Sequence, residues 1–227
     1  NSILSAYLGE CLDWAIGYRQ WRQQNPWEYS WPTSPDLERE YQQALEATTP
    51  AALMPLRRAG VTDYALELAK PAFARVQLQQ GGLFEFCPDG RTRGYVVPIR
   101  AERLDSPESD DPLGTTAQGQ ILDLVLFTPE LNNGTWLRYG GADWLGNCRP
   151  QEEGGSPVHI HREPIDWLRS DCDGLVCLPI EPTEICRALS RFKAIDVDEA
   201  QAERFSGLYS LPLGRPKMRV VEARHGA

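Results

Sequence analysis

Ser156 to Pro182 reads SPVHIHREPIDWLRSDCDGLVCLPIEP, and the change of period along it decides the class of fold. Val158 and Ile160 alternate with His159 and His161, as in a strand with two unlike faces. Pro164 then opens a short helix carrying Ile165, Leu168 and Cys172 on one face, and Leu175 to Ile180 is an apolar run of strand length. Strand, helix and strand in this order form a βαβ pattern. Crossover connections put the loops that do chemistry at the carboxyl ends of parallel strands, which directs attention to Arg162, Glu163 and Glu181.

The same rhythm continues toward the carboxyl terminus. Thr183 caps a helix with Ile185, Ala188, Leu189 and Phe192 at helical spacing, Ala194 to Val197 is a short strand, and Glu199 to Phe205 is another helix. Toward the amino terminus the period drops to two. Leu83 to Phe86, Gly94 to Arg100 and Ile121 to Phe127 are strand-like, the first two joined by the Pro-Asp-Gly turn in CPDGRTR. A short strand from Thr135 to Tyr139 follows, then Gly140, Gly141 and a helical turn at Ala142 to Leu145. Leu104 to Gly119, acidic and rich in turn formers, is expected to be a mobile surface loop.

The first third reads as helical. Leu4, Leu8, Cys11, Leu12, Ala15 and Tyr18 recur at helical spacing until Asn25 and Pro26. Ser34 and Pro35 start a second helix with Leu37, Tyr41, Ala44 and Leu45 on its buried face, and a third near Asp63 to Lys70 meets Pro71. The expected fold is α+β: N-terminal helices packed on a central, mostly antiparallel sheet, with a small βαβ-containing carboxyl portion. One compact domain over residues 1–227 is expected, with a helical region at about 1–80, a β-meander at about 81–145 and an α/β portion at about 156–227.

Composition narrows the classes of function. Hydrophobic residues make up 41% and charged ones 24%, which is ordinary globular usage, and no apolar run approaches membrane-spanning length. With no leader pattern at its start, the chain is expected in the cytoplasm, with no membrane partner. Net charge is −9, which opposes non-specific attraction to nucleic acid, so a protein partner is favoured. Only a local patch reverses that, and two are available: Arg91, Arg93, Arg100 and Arg103, and the tail with Arg215, Lys217, Arg219 and Arg224. The six cysteines are spread from Cys11 to Cys186 and read as reduced, with Cys172, Cys177 and Cys186 as packing residues.

Four constellations carry possible chemistry. His159 and His161 project from one strand face, a spacing that suits two ligands of Zn²⁺, with Asp171, Cys172, Asp173 and Cys148 as the nearest third ligands. Cys172 with His161 as base makes a nucleophile, but the flanking Asp171 and Asp173 disfavour the thiolate and a packing role fits better. Glu181, Asp196 and Asp198 stand after strands, where three acids hold Mg²⁺. Asp123 shares a face with Ile121, Val125 and Phe127 and needs a partner, for which Arg100 on the preceding strand is expected, as a structural or pocket ion pair. The aromatic segment NPWEYSWP, with Trp27, Tyr29 and Trp31, reads as a loop folded over the core.

Two resemblances bear on these residues. The acidic set Glu181, Asp196 and Asp198 resembles, over those three positions, the toprim fold of primases and topoisomerases, while Pro179 and Pro182 depart from that motif and either aspartate also suits a helix cap. The segments DLVLF, TWLRYGGADWLG and HREPIDWLRSDCDGLVCL together resemble, over the carboxyl half, a group of uncharacterised bacterial proteins from phage-derived or mobile-element neighbourhoods. That resemblance implies an accessory role. With no complete catalytic or cofactor motif, the expectation is a non-enzymatic accessory or binding protein without a cofactor. The alternatives are a metal-dependent phosphoryl-transfer or hydrolytic enzyme, using the carboxylates or the His-x-His pair, and a nucleic-acid contact through an Arg patch.

Overall fold

A computed structural model describes residues 35–100, 121–129, 134–146, 157–178, 185, 188–189, 192–206 and 217–221. The Leu4 to Tyr18 helix, the aromatic segment at 27–31, the loop from Leu104 to Gly119 and Glu181 all lie outside the described residues. Helices and strands are mixed, as expected. The chain divides into two compact units, residues 1–52 with 71–141 and residues 53–70 with 142–227.

In the first unit, β1 (Ala72–Gln79), β2 (Leu83–Phe86), β3 (Thr92–Arg100), β4 (Ile121–Phe127) and β5 (Thr135–Leu137) close a barrel in the order β1-β2-β5-β4-β3. Four of its five pairings are antiparallel, and β2 meets β5 in parallel at Leu83 and Leu137. Helix α1 (Pro35–Glu46) sets Leu37, Tyr41 and Ala44, at i, i+4 and i+7, into a core shared with Val76, Phe84, Val96 and Leu124. Each such large side chain contributes about 1.5–3 kcal/mol by leaving water. Strand β1 corrects the expected extent of the helical region. Ala72, Ala74, Val76 and Leu78 turn inward while Phe73, Arg75, Gln77 and Gln79 turn outward, a period of two that no helix satisfies. Along β4 every residue is buried, which accounts for the near-continuous apolar run ILDLVLF.

In the second unit a sheet runs in the order β10-β9-β7-β8-β6. Its members are β6 (Trp144–Leu145), β7 (Val158–His161), β8 (Leu175–Cys177), β9 (Ala194–Val197) and β10 (Lys217–Val220). Strands β7 to β10 are parallel, and β6 is an antiparallel edge. The turn expected at Ala142 to Leu145 is thus partly strand, because Trp144 and Leu145 pair with Cys177 and Val176. Helix α2 (Met54–Arg58) and α3 (Asp63–Ala69) also belong here, with α4 (Pro164–Arg169) and α5 (Glu199–Ser206). One sheet face carries Ile160, Leu175, Cys177, Ile195 and Val197, packed with Leu189, Phe192 and Phe205. Ile185, Ala188 and Leu189 are helical and buried, as their spacing requires. The βαβ pattern is therefore β7-α4-β8, and β7 lies in the middle of the sheet rather than at an edge.

Candidate functional site

Register across the parallel strands places His159 of β7 beside Asp196 of β9, and Asp196 beside Arg219 of β10. Matched positions in parallel strands project from one face, so these three side chains form a row on the face opposite the apolar core. Arg219 Nε lies 3.1 Å from Asp196 Oδ1. That oxygen is nevertheless buried without a hydrogen bond, so the approach is too oblique for one and the contact is Coulombic.

His161, on the same face, is buried at 7% exposure. Its Nε2 lies 2.7 Å from the carbonyl oxygen of Asp173 and 3.0 Å from Ser170 Oγ. A carbonyl only accepts, so Nε2 carries the proton and donates it to Asp173, while Ser170 Oγ donates to the Trp167 carbonyl at 2.8 Å. The imidazole pKa is lowered: burial is the main cause, the Asp173 carbonyl opposes it, and the neighbouring His159 ring, 4.4 Å away between centroids, adds to it. His161 Nε2, holding its proton toward Asp173, is not placed to act as a base for Ser170.

The loop holding His161 is conformationally demanding. Asp171 and Cys172 both adopt left-handed backbone, with φ of 55° and 62°, and Gly174 follows at φ 84°. A Cβ at Gly174 would lie 2.5 Å from the His159 carbonyl oxygen and 3.0 Å from His161 Nε2, so only glycine fits. Thr62 Oγ1, which also caps α3, donates to Asp171 Oδ1. Cys172 is free, and burial, with Asp171 adding to it, pushes its thiol up to about 12. That agrees with the packing role read from the flanking aspartates and removes Cys172 as a nucleophile at neutral pH.

At the carboxyl ends of β7 and β9, where the strand order reverses, stand Arg162, Glu163 and Asp198. Arg162 and Glu163 are 3.7 Å apart. Burial raises the Glu163 pKa, Asp166 raises it further, and Arg162 with Arg169 oppose. Asp198 Oδ1 accepts the Gln201 amide at 2.7 Å and so caps α5. Asp196 and Asp198 thus have separate structural engagements. Among the described residues no group of three or more His, Cys, Asp or Glu side chains is arranged to hold a metal ion.

In the barrel unit, Asp123 is fully buried, but Arg100 is not its partner. Its Oδ1 accepts the amides of Leu124 and Tyr139 at 2.8 and 3.0 Å, and its Oδ2 accepts that of Gly141 at 2.8 Å. Burial raises its pKa while the three amides and Arg138 pull it down. Arg100 instead reaches Glu38 of α1 at 3.3 Å. Arg138, 7% exposed, forms a two-pronged pair with Glu40 at 2.9 and 3.0 Å.

Of the expected Arg91, Arg93, Arg100 and Arg103 series, Arg103 lies outside the described residues and Arg100 is engaged. Arg91 and Arg93 are exposed, and strand pairing sets Arg75 directly opposite Arg93. None of Arg75, Arg91 and Arg93 makes an ion pair or side-chain hydrogen bond among the described residues. Arg75 is not legible as part of this patch from the sequence, because β1 falls within the expected helical region at about 1–80. No protein-family model, curated protein or solved structure matches this chain.

Proposed function

We propose that this chain is a non-catalytic binding protein whose barrel unit presents the recognition surface to an anionic partner. The observation that carries this reading is the placement of Arg75 opposite Arg93, both exposed and in no ion pair among the described residues. Like charges directly opposed on neighbouring strands repel, and an anion laid across them relieves the repulsion. By contrast, three of the described residues with catalytic potential are committed to the fold. His161 Nε2 donates to a carbonyl, Asp198 caps a helix, and Asp123 holds three amides.

The favoured partner thereby shifts from an unspecified protein to a polyanion. Net charge of −9 keeps such binding local and salt-sensitive. An accessory role in a bacterial mobile element fits a binding protein and rests on the sequence resemblance alone. The test is chromatography of the full chain on immobilised heparin at low salt, together with metal analysis. Retention of an acidic protein on a polyanion, without bound metal, supports the reading. Flow-through in the void, or stoichiometric metal with hydrolytic turnover, overturns it.

A further inference from the structure

Resting on the reading of the barrel as a binding unit, we propose that the outward face of β1, flanked by Arg91 and Arg93, takes the backbone and bases of a single-stranded nucleic acid. That face reads Phe73, Arg75, Gln77, Gln79. Alternate residues of a strand are spaced about 6.8 Å apart, a step of the same order as that between successive nucleotides in an extended single strand. Each kind of side chain supplies one part of what such a ligand needs.

The arginines offer planar forks that bind phosphate oxygens in pairs. Phe73 is partly exposed beside Arg75 and is braced edge-on by Tyr95, with centroids 5.6 Å apart, which makes it a rigid stacking surface. Gln77 and Gln79 are exposed and carry both donors and acceptors for base edges. Cations, an aromatic face and amides in one row match the chemistry of single-strand platforms, in which stacking and phosphate contact act together. An acidic peptide would use the arginines and leave Phe73 without a role. A duplex presents its bases already stacked on one another, so Phe73 would have nothing to stack on. The nearby carboxylates Glu85 and Asp89 form no ion pair with the three arginines among the described residues.

Fluorescence anisotropy of the full chain with a labelled deoxythymidine oligonucleotide tests this, with a duplex of equal length and polyglutamate as competitors. The expected result is binding whose logarithm falls against log salt with a slope of about −2, the value for three phosphate contacts on a single strand. Arg75→Ala with Arg93→Ala should weaken it at least tenfold. Phe73→Leu should weaken it several-fold with the salt slope unchanged, because stacking releases no counterions. Equal competition by polyglutamate, tighter binding of the duplex, or indifference to the double substitution overturns the proposal. Retention on heparin without oligonucleotide binding overturns this inference and leaves the wider binding reading standing. Loss of both removes both.

Discussion

Asp123 and Gly141, eighteen residues apart in the chain, are joined inside the barrel unit by a 2.8 Å hydrogen bond from the Gly141 amide to the buried carboxylate. With the Leu124 and Tyr139 amides on the other oxygen, one side chain fixes the backbone that leaves β5. A carboxylate is the group suited to this, because both oxygens accept and neither donates.

Asp123→Asn should therefore be costly despite its near-identical shape. Its amide nitrogen would face the Gly141 N–H, donor against donor, or the oxygens' other two amides if rotated. Urea unfolding should show a loss of about 1–3 kcal/mol, the range for buried amides left unpaired. A loss below about 0.5 kcal/mol would contradict the assignment.

Arg138 and Glu40 should behave as a coupled pair. Removing one partner leaves the other charge buried, so Glu40→Leu alone or Arg138→Met alone should destabilise by about 3 kcal/mol, whereas the double variant should recover much of that loss. Simple additivity in a double-mutant cycle would show that the two do not interact.

His161 should make stability depend on pH. An unfolded histidine takes its proton near pH 6.5, whereas burial delays protonation in the folded chain to a lower pH. Between those values the unfolded state binds more protons, so this contribution is complete above about pH 6.5 and is lost as pH falls toward the folded pKa. Asp123 and Glu163, whose pKa values are raised, act with the opposite sign. The difference in melting temperature between wild type and His161→Gln, which retains a donor for the Asp173 carbonyl, isolates the histidine. The variant should gain on wild type between pH 7.5 and 5.5. No change in that difference would mean His161 titrates normally.

The sequence made much of this visible, for reasons particular residues supply. Val158 to Cys177 declared its βαβ unit because a buried parallel pair needs β-branched and apolar residues and the intervening helix begins at Pro164. The burial of His161 is not legible in the sequence: alternation marks which residues share a side, not whether α4 and its loop cover that side. Strand β1 was hidden because Ala72 and Ala74 are small enough to pass for helix formers. Without that strand Arg75 could not be set beside Arg93. The Asp123 clamp was illegible for another reason, since backbone amides leave no residue signature.

The opposed arginines predict a trade between stability and binding. Arg93→Glu should raise stability by about 0.2–1 kcal/mol, because it replaces a like-charge pair by an attractive one. The same variant should bind polyanions more weakly. Falling stability would show that the arginines are already neutralised in the fold.

The most direct measurement is the salt concentration at which Arg75→Glu and Arg93→Glu elute from heparin, compared with Arg58→Glu. Arg58 is an exposed arginine of the second unit, so its replacement makes the same change in net charge without altering the barrel unit's sequence. The account predicts that either barrel variant elutes at much lower salt than wild type, while Arg58→Glu stays close to it. Equal shifts for all three would mean that overall charge, not the Arg75 and Arg93 row, governs the interaction, and would contradict the central claim.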